Sequence, residues 1–359
     1  MSYKCFIFLL SLFLMQPVFS DQHSTLFSKM VFFGDSLSDN GNFYRDVLYF
    51  VPKDPPYYKG RFSNGQVWSE YVDEYFSTHY LVESTNYAVG GQTAYFHNPF
   101  EGYLPYSLAM SRENYILHSL FTDRSRTLFI IWIGANDYLL GIPDIEQLTT
   151  DVTNAIKATV EDLIYHGGVN FLLLNLPDLS KTPYGKTIDY NDSLKSAIVA
   201  HNAKLDKVVA GLKDSYNNIN IHLYDINHFF DDAIQHREEY NKKYNTHIAN
   251  VSDSCWSGGY SLRSIKVTEA LIAKKLREHT QLRAENVNAH SEELVHLVAS
   301  SPPLLEAFIV SNHNDTGVTR CENPDDYLFW DKVHPGSVPH SIIGKTLIEF
   351  IDANYQALK

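Results

Sequence analysis

Cysteine, methionine and cationic charge are all scarce in this 359-residue chain, and the shortages narrow what it can be. Three cysteines allow one disulfide and no more. Lysine and arginine total 29 against 42 aspartates and glutamates, a formal charge of −13. A general nucleic-acid binder needs a cationic footprint to displace counterions from phosphates, so nucleic acid is excluded as a partner. Beyond the N-terminal residues no apolar run approaches the length of a membrane-spanning helix. Internal repeats and low-complexity tracts are missing too. Hydrophobic residues are 44% and charged residues 20%, which is the composition of a folding chain and not of a disordered one.

What is present begins at the N-terminus. Residues 1–20 read MSYKCFIFLLSLFLMQPVFS. Lys4 supplies a positive start, Cys5 to Met15 is apolar, and Val18-Phe19-Ser20 puts small residues where a signal peptidase reads. The run is short for a bilayer, and the competing reading is an N-terminal anchor or a buried strand. Cleavage after Ser20 predicts a secreted or periplasmic chain of residues 21–359, expected to form a single domain. Lys4 leaves with the signal, so the formal charge becomes −14. Cys5 leaves as well, and Cys255 and Cys321 remain. Two cysteines in an exported chain predict one bridge, with a pair of unlinked thiols as the alternative. Such a bridge encloses 65 residues. The chain-entropy model gives a closure of that size about 4 kcal/mol.

Short apolar runs alternate with helical patterns along the rest of the chain. Met30–Phe33, Leu128–Ile133, Val169–Leu176 and Ile219–Tyr224 read as strands, the first three apolar on both faces. Continuous apolar strands belong to parallel sheets covered on both sides. Helical patterns occupy 146–166, 189–216, 262–283 and 337–356. The alternation predicts an α/β sandwich with right-handed crossovers. Residues 284–316, polar and carrying Pro302-Pro303, are the weakest candidates for a core.

Four islands carry chemistry. In VFFGDSLSDNGN (31–42) a strand ends at Gly34, and Ser36 follows in a tight turn. A serine at the carboxyl end of a parallel strand faces the crevice where such sheets bind ligands. The plainer reading is a turn in which Ser38 or Asp39 caps a helix. In NYAVGGQT (86–93) two adjacent glycines present a backbone amide, or simply make a turn. In IIWIGANDY (130–138) a strand again ends on glycine, and Asn136 can donate its side-chain amide or cap the next segment. Asp137 is expected to make local turn hydrogen bonds. In YLFWDKVHPGS (327–337) Asp331 and His334 are three apart, so one loop can present both. The carboxylate can then hold the imidazole tautomer while the other ring nitrogen faces a nucleophile. A metal-ligand pair is the lesser reading, because no third ligand stands near with metal-site spacing. His340, one turn into the last helix, is a rival base.

Together the islands fill every role of a serine esterase. The weakly nucleophilic hydroxyl needs a base, and the tetrahedral oxyanion needs preplaced donors. On these motifs the chain resembles GDSL-type hydrolases of the SGNH superfamily over nearly the whole length after residue 20. Ser36 matches the block I serine, Gly90 or Gly91 the block II glycine, Asn136 the block III asparagine, and Asp331 with His334 the block V pair. It differs from α/β-hydrolases, whose Gly-x-Ser-x-Gly would need glycine at Ser38. The resemblance implies a flavodoxin-like three-layer sandwich with a five-stranded parallel sheet, and ester hydrolysis without a cofactor or metal. It implies Ser36, His334 and Asp331 as the catalytic triad, and Ser36, Gly90 and Asn136 as the oxyanion hole.

GRFSNGQVWSEYV (60–72) and CENPDDYLFWDKVHP (321–335) are similar to the secreted bacterial phospholipase, lysophospholipase and glycerophospholipid:cholesterol acyltransferase branch. Plant GDSL esterases are the nearest alternative. The branch implies a lipid acyl-ester substrate, transient contact with a membrane or micelle surface, and acyl transfer to alcohols as well as to water. It also implies a Cys255–Cys321 bracketed loop, 255–321, open to an activating protease. Gly336-Ser337 replaces the threonine more common after His-Pro, and reads as a helix-cap swap. The competing functions are a carbohydrate O-acetyl esterase or short-chain carboxylesterase and, in a different class, a non-catalytic lipid or glycan binder on the same fold.

Overall fold

Strands buried on both faces need a helical layer on each side, and the aromatic residues of this chain supply much of the contact between layers. The computed structural model describes residues 26–52, 54–98, 104–256, 268–283, 291–300, 305 and 320–359. The segment read as a signal, 1–20, lies outside the described residues. The strands are β1 (Leu26–Phe27), β2 (Lys29–Gly34), β3 (Glu83–Asn86), β4 (Thr127–Trp132), β5 (Asn170–Leu174), β6 (Asn220–Tyr224), β7 (Asn250–Ser254), β8 (Tyr327–Phe329) and β9 (Gln356–Ala357). Five of them form a parallel sheet in the order β3-β2-β4-β5-β6. This is the flavodoxin-like order, in which the chain reverses direction across the sheet between the strands here labelled β2 and β4. The four predicted strands are present within one or two residues at each end. The fifth, β3, has the sequence ESTN and lies at the sheet edge with alternating exposure, so it carries no apolar run to read.

The helices are α1 (Asn42–Asp46), α2 (Trp68–His79), α3 (Leu108–His118), α4 (Ile145–Tyr165), α5 (Asn191–Ser215), α6 (Ile226–Gln235), α7 (Arg237–Tyr244), α8 (Glu269–Arg283), α9 (Ser291–Ser300) and α10 (Ser337–Asn354). Successive strand residues point to opposite faces. Accordingly Phe32 meets Trp68 of α2, with ring centroids 5.6 Å apart, while Phe33 meets Tyr115 of α3 at 6.0 Å. In β4, Trp132 faces Trp68 at 5.9 Å and Phe129 faces Tyr115 at 5.4 Å. Helix α2 packs on α10 on one side, and α4 packs on α3 and α5 on the other. Aromatic rings thus form contacts between the sheet and the helices on both faces.

Between the two cysteines, the reading of 284–316 as the segment weakest for a core changes. Cys255 and Cys321 are joined in a disulfide, with Cα atoms 4.8 Å apart. Within the bracket α8 and α9 pack on each other. Ile272 and Leu276 of α8 and Leu294, Val295 and Val298 of α9 are buried against Phe43, Phe50 and Phe62 near the serine turn. Part of 284–316 therefore belongs to a core: Leu294, Val295 and Val298 lie on one face of α9, which the polarity of the segment as a whole conceals. Among the described residues no helix is long and apolar enough to cross a membrane.

Candidate active site

Both turns that follow the central strands, β2 and β4, open at the reversal point of the sheet. The β2 turn is built by aspartates. Asp35 Oδ1 accepts the Leu37 N–H at 3.0 Å, and the Asp35 carbonyl accepts those of Ser38 and Asp39, each at 3.0 Å. Gly34 is required at the strand end, because a Cβ there would lie 2.7 Å from the Trp132 carbonyl oxygen and 2.8 Å from Ser38 Oγ. Asp39 caps the start of α1, accepting the N–H groups of Gly41, Asn42 and Phe43 at 2.6–3.0 Å. Burial pushes the Asp35 carboxyl up to about 7 and that of Asp39 up to about 6.

The predicted serine, histidine and aspartate come together across almost the full chain. Ser36 Oγ lies 2.8 Å from His334 Nε2. His334 Nδ1 lies 2.8 Å from Asp331 Oδ2 and 2.9 Å from Oδ1. Asp331 Oδ1 also accepts the N–H of His334 at 2.7 Å and of Val333 at 2.9 Å, so the loop folds around its own carboxylate. Burial acts to raise the Asp331 carboxyl. The His334 charge and hydrogen bonds outweigh it and hold the group below the usual carboxylate range. All three side chains are buried. A further partner went unread in the sequence: the Tyr57 hydroxyl donates to Asp331 Oδ2 at 2.8 Å.

Several expectations change in detail. The Gly90 N–H, expected in the oxyanion hole, donates instead to Asp39 Oδ2 at 2.8 Å, a buried acceptor that takes it out of play. Gly91 is the glycine with positive φ, +75°, and among the described residues neither its N–H nor that of Ser36 has an acceptor. Asn136 donates one side-chain hydrogen to the Gln92 carbonyl at 2.9 Å, which docks it on the same glycine turn and leaves its second hydrogen. Asp137 makes no merely local turn. It accepts the N–H of Ala94 at 2.9 Å and of Tyr95 at 3.1 Å, and it meets His97 Nε2 at 2.9 Å, tying the two turns together. His340 points elsewhere: buried, with Nδ1 accepting the Trp68 N–H at 3.3 Å, it is pushed down by burial to about 3. Ser337 is no cap. Gly336 occupies the cap position without a side-chain bond, and Asn64 Oδ1 accepts the Ser337 N–H at 2.8 Å.

A cleft of about 580 Å³, counting its open mouth, lies beside Ser36, Asn136 and His334. Leu37, Leu139, Leu179, Phe230, Ile234 and Val333 supply much of its wall. A hydroxyl hydrogen-bonded to an imidazole, with amides near and an apolar cleft alongside, is an arrangement for acyl transfer.

Several known proteins are similar to this chain along its sequence. The phosphatidylcholine-sterol acyltransferase of Aeromonas hydrophila is 28% identical over 359 residues, 99% of each chain. The secreted effector protein SseJ of Salmonella typhimurium is 35% identical over 194 residues, 53% of this chain and 44% of that one. The thermolabile hemolysin of Vibrio parahaemolyticus is 24% identical over 334 residues, 90% of this chain and 63% of that one. The sequence model of the GDSL-like Lipase/Acylhydrolase family matches residues 30–347. Strand order, site chemistry and this match lead to one conclusion: the chain belongs to the GDSL-like lipase/acylhydrolase family and is an ester hydrolase.

Proposed function

We propose that the protein is an exported serine hydrolase of lipid acyl esters that also passes the acyl group to alcohols, and that Ser36, His334 and Asp331 are its catalytic residues. The observation that carries the reading is the continuous line of hydrogen bonds from Ser36 Oγ through His334 to Asp331 at the edge of an apolar cleft. His334 Nε2 takes the Ser36 proton as Oγ attacks the ester carbonyl, and the carbonyl π pair moves onto oxygen. The Ser36 and Gly91 amides and the free hydrogen of Asn136 receive that oxyanion. Asp331 holds the ring tautomer and balances the imidazolium. Collapse of the intermediate breaks the bond to the leaving alcohol, which takes its proton from His334. Water or a second alcohol then repeats the sequence on the acyl-serine.

The lipid substrate is supported by two observations. The cleft wall is mainly aliphatic and aromatic, and the relative whose name specifies phosphatidylcholine matches along the whole chain. A panel of esters from acetylated sugars to lysophosphatidylcholine, with cholesterol present as acceptor, tests it. Lysophospholipid turnover above acetyl-sugar turnover is expected. The reverse order assigns the chain to carbohydrate O-acetyl esterases. Ser36→Ala is expected to abolish turnover of every ester with the melting temperature kept. Residual turnover near wild type in that variant removes Ser36 from the chemistry.

A further inference from the structure

The GRFSNG motif, residues 60–65, has no role in the chemistry above, yet it and the residues just before it meet the Asp331–His334 loop at four places. The Tyr57 hydroxyl donates to Asp331 Oδ2 at 2.8 Å. The Phe62 ring lies against the His334 imidazole, with centroids 5.2 Å apart and planes tilted by 35°. Ser63 Oγ donates to the Pro335 carbonyl at 2.9 Å. Asn64 Oδ1 accepts the Ser337 N–H at 2.8 Å. The contacts keep chain order on both sides, so the two segments lie along each other through the whole base loop. The first segment has its own supports. Tyr58 N–H donates to the Ser63 carbonyl at 2.9 Å, and Arg61 Nε donates to Glu70 of α2 at 3.1 Å. Tyr57 is 2% exposed and packs edge-on to Phe62 and Trp330, each at 6.3 Å between centroids, so its hydroxyl cannot swing away from Asp331.

We propose that residues 57–64 are the template on which the Asp331–His334 pair is set, and that Tyr57 is a positioning residue that tunes the basicity of His334 through Asp331. The inference rests on the catalytic roles proposed above. Asp331 Oδ2 serves two donors at once, His334 Nδ1 and the Tyr57 hydroxyl. A hydrogen bond from tyrosine draws charge from the oxygen that faces the imidazole. The carboxylate then supports the imidazolium less strongly than it would without the tyrosine. The same bond fixes the plane of the carboxylate and so the direction of the ring. Among the described residues, Asp35 from the serine turn and His340 from α10 also act on this pair, and no hydrogen bond joins either to Tyr57.

The test compares kcat and KM of the full chain with those of Tyr57→Phe on p-nitrophenyl butyrate across the acid and neutral range. The variant keeps the packed ring, so the fold is retained, as thermal melting will verify. Expected are a kcat about tenfold lower, an unchanged KM, and an acid limb of kcat/KM moved upward by on the order of half a pH unit. Difluorotyrosine placed at position 57, a stronger donor, is expected to move the limb downward. An acid limb that stays in place in Tyr57→Phe overturns the proposal, whether or not kcat falls, because a merely structural contact would act that way. Absence of ester turnover in the unaltered chain would instead overturn the functional reading, and this inference with it.

Discussion

Asp35 and Asp331 stand just ahead of Ser36 and His334, both are buried, and their carboxyls move in opposite directions. Burial takes Asp35 up to about 7. Burial pulls on Asp331 as well, but the imidazole beside it reverses the outcome and holds it low. Counting hydrogen bonds does not explain the contrast. Asp39 accepts four backbone N–H groups, from Gly41, Asn42, Phe43 and Gly90, and is still pushed up to about 6 by burial. At Asp39 the neutral amides offset only part of the desolvation, whereas at Asp331 the His334 charge and the hydrogen bonds together offset all of it. Asp137, 2.9 Å from His97 Nε2, is still pushed up by burial, so a neighbouring ring does not decide the direction by itself. The serine turn therefore uses its aspartates as scaffolding, and the base loop uses its aspartate as a counter-charge.

The largest expected effect comes from removing that counter-charge. Asp331→Asn keeps the shape but presents an amide that can donate toward His334 Nδ1, favouring the wrong tautomer. On the precedent of serine proteases, kcat is expected to fall roughly 10⁴-fold with little change in KM. Steady-state kinetics on a chromogenic ester measures this. A loss within about tenfold would mean that Asp331 is scaffolding like Asp35, and the contrast would dissolve. Next in size is Asn136→Ala, which removes an oxyanion donor but leaves the charge balance of the base loop intact. A kcat lower by about 10²–10³ is expected. Its acid limb should match that of the unaltered chain. A shifted limb would place Asn136 in the charge network and not in the oxyanion hole.

The two regions also differ in how far their sequence could be read. The strands leading into the serine and asparagine turns, KMVFFG and TLFIIW, are apolar along their length, and the residues after them follow from the strand ends. Ser36 and Asn136 are legible on that ground, and Asp331 with His334 on their spacing of three in one loop and on the family motif. What stayed hidden depends on contacts between residues far apart in the chain. Nothing in Gly90-Gly91 tells which amide is free. The answer lies 51 residues away, in Asp39 accepting the first of them. Asp137 looked like a turn residue because its partners, Ala94, Tyr95 and His97, belong to another loop. Tyr57 lies 274 residues from Asp331, and the acceptor for the Ser337 N–H at the start of α10 is the distant Asn64, so neither leaves a local signature. Strand β3 was missed because an edge strand needs no apolar run.

The smallest effect on turnover, and the sharpest on stability, is expected from Asp35→Asn. Asparagine can keep the bond from the Leu37 N–H through its carbonyl oxygen, so the turn and its serine should stay in place. Stability should respond to pH. The folded-state value of Asp35, about 7, lies above the ordinary carboxyl value of 3.8. Between these limits the folded chain retains a proton that the unfolded chain has released. Stability therefore falls as pH rises through the window, and the penalty is complete above about 7. Asparagine carries no such penalty. The melting temperature of the variant should match that of the unaltered chain near the lower limit and exceed it at pH values above the window. The gain is on the order of 1–2 °C for each kcal/mol recovered in a chain of this length. Asp331 predicts the opposite sign, because its lowered carboxyl adds stability above the ordinary carboxylate range and loses it in acid. A thermal-melting series across pH measures both. If Asp35→Asn gains nothing at high pH, its carboxylate is balanced after all, and the distinction between scaffold and counter-charge fails at the residue next to the nucleophile.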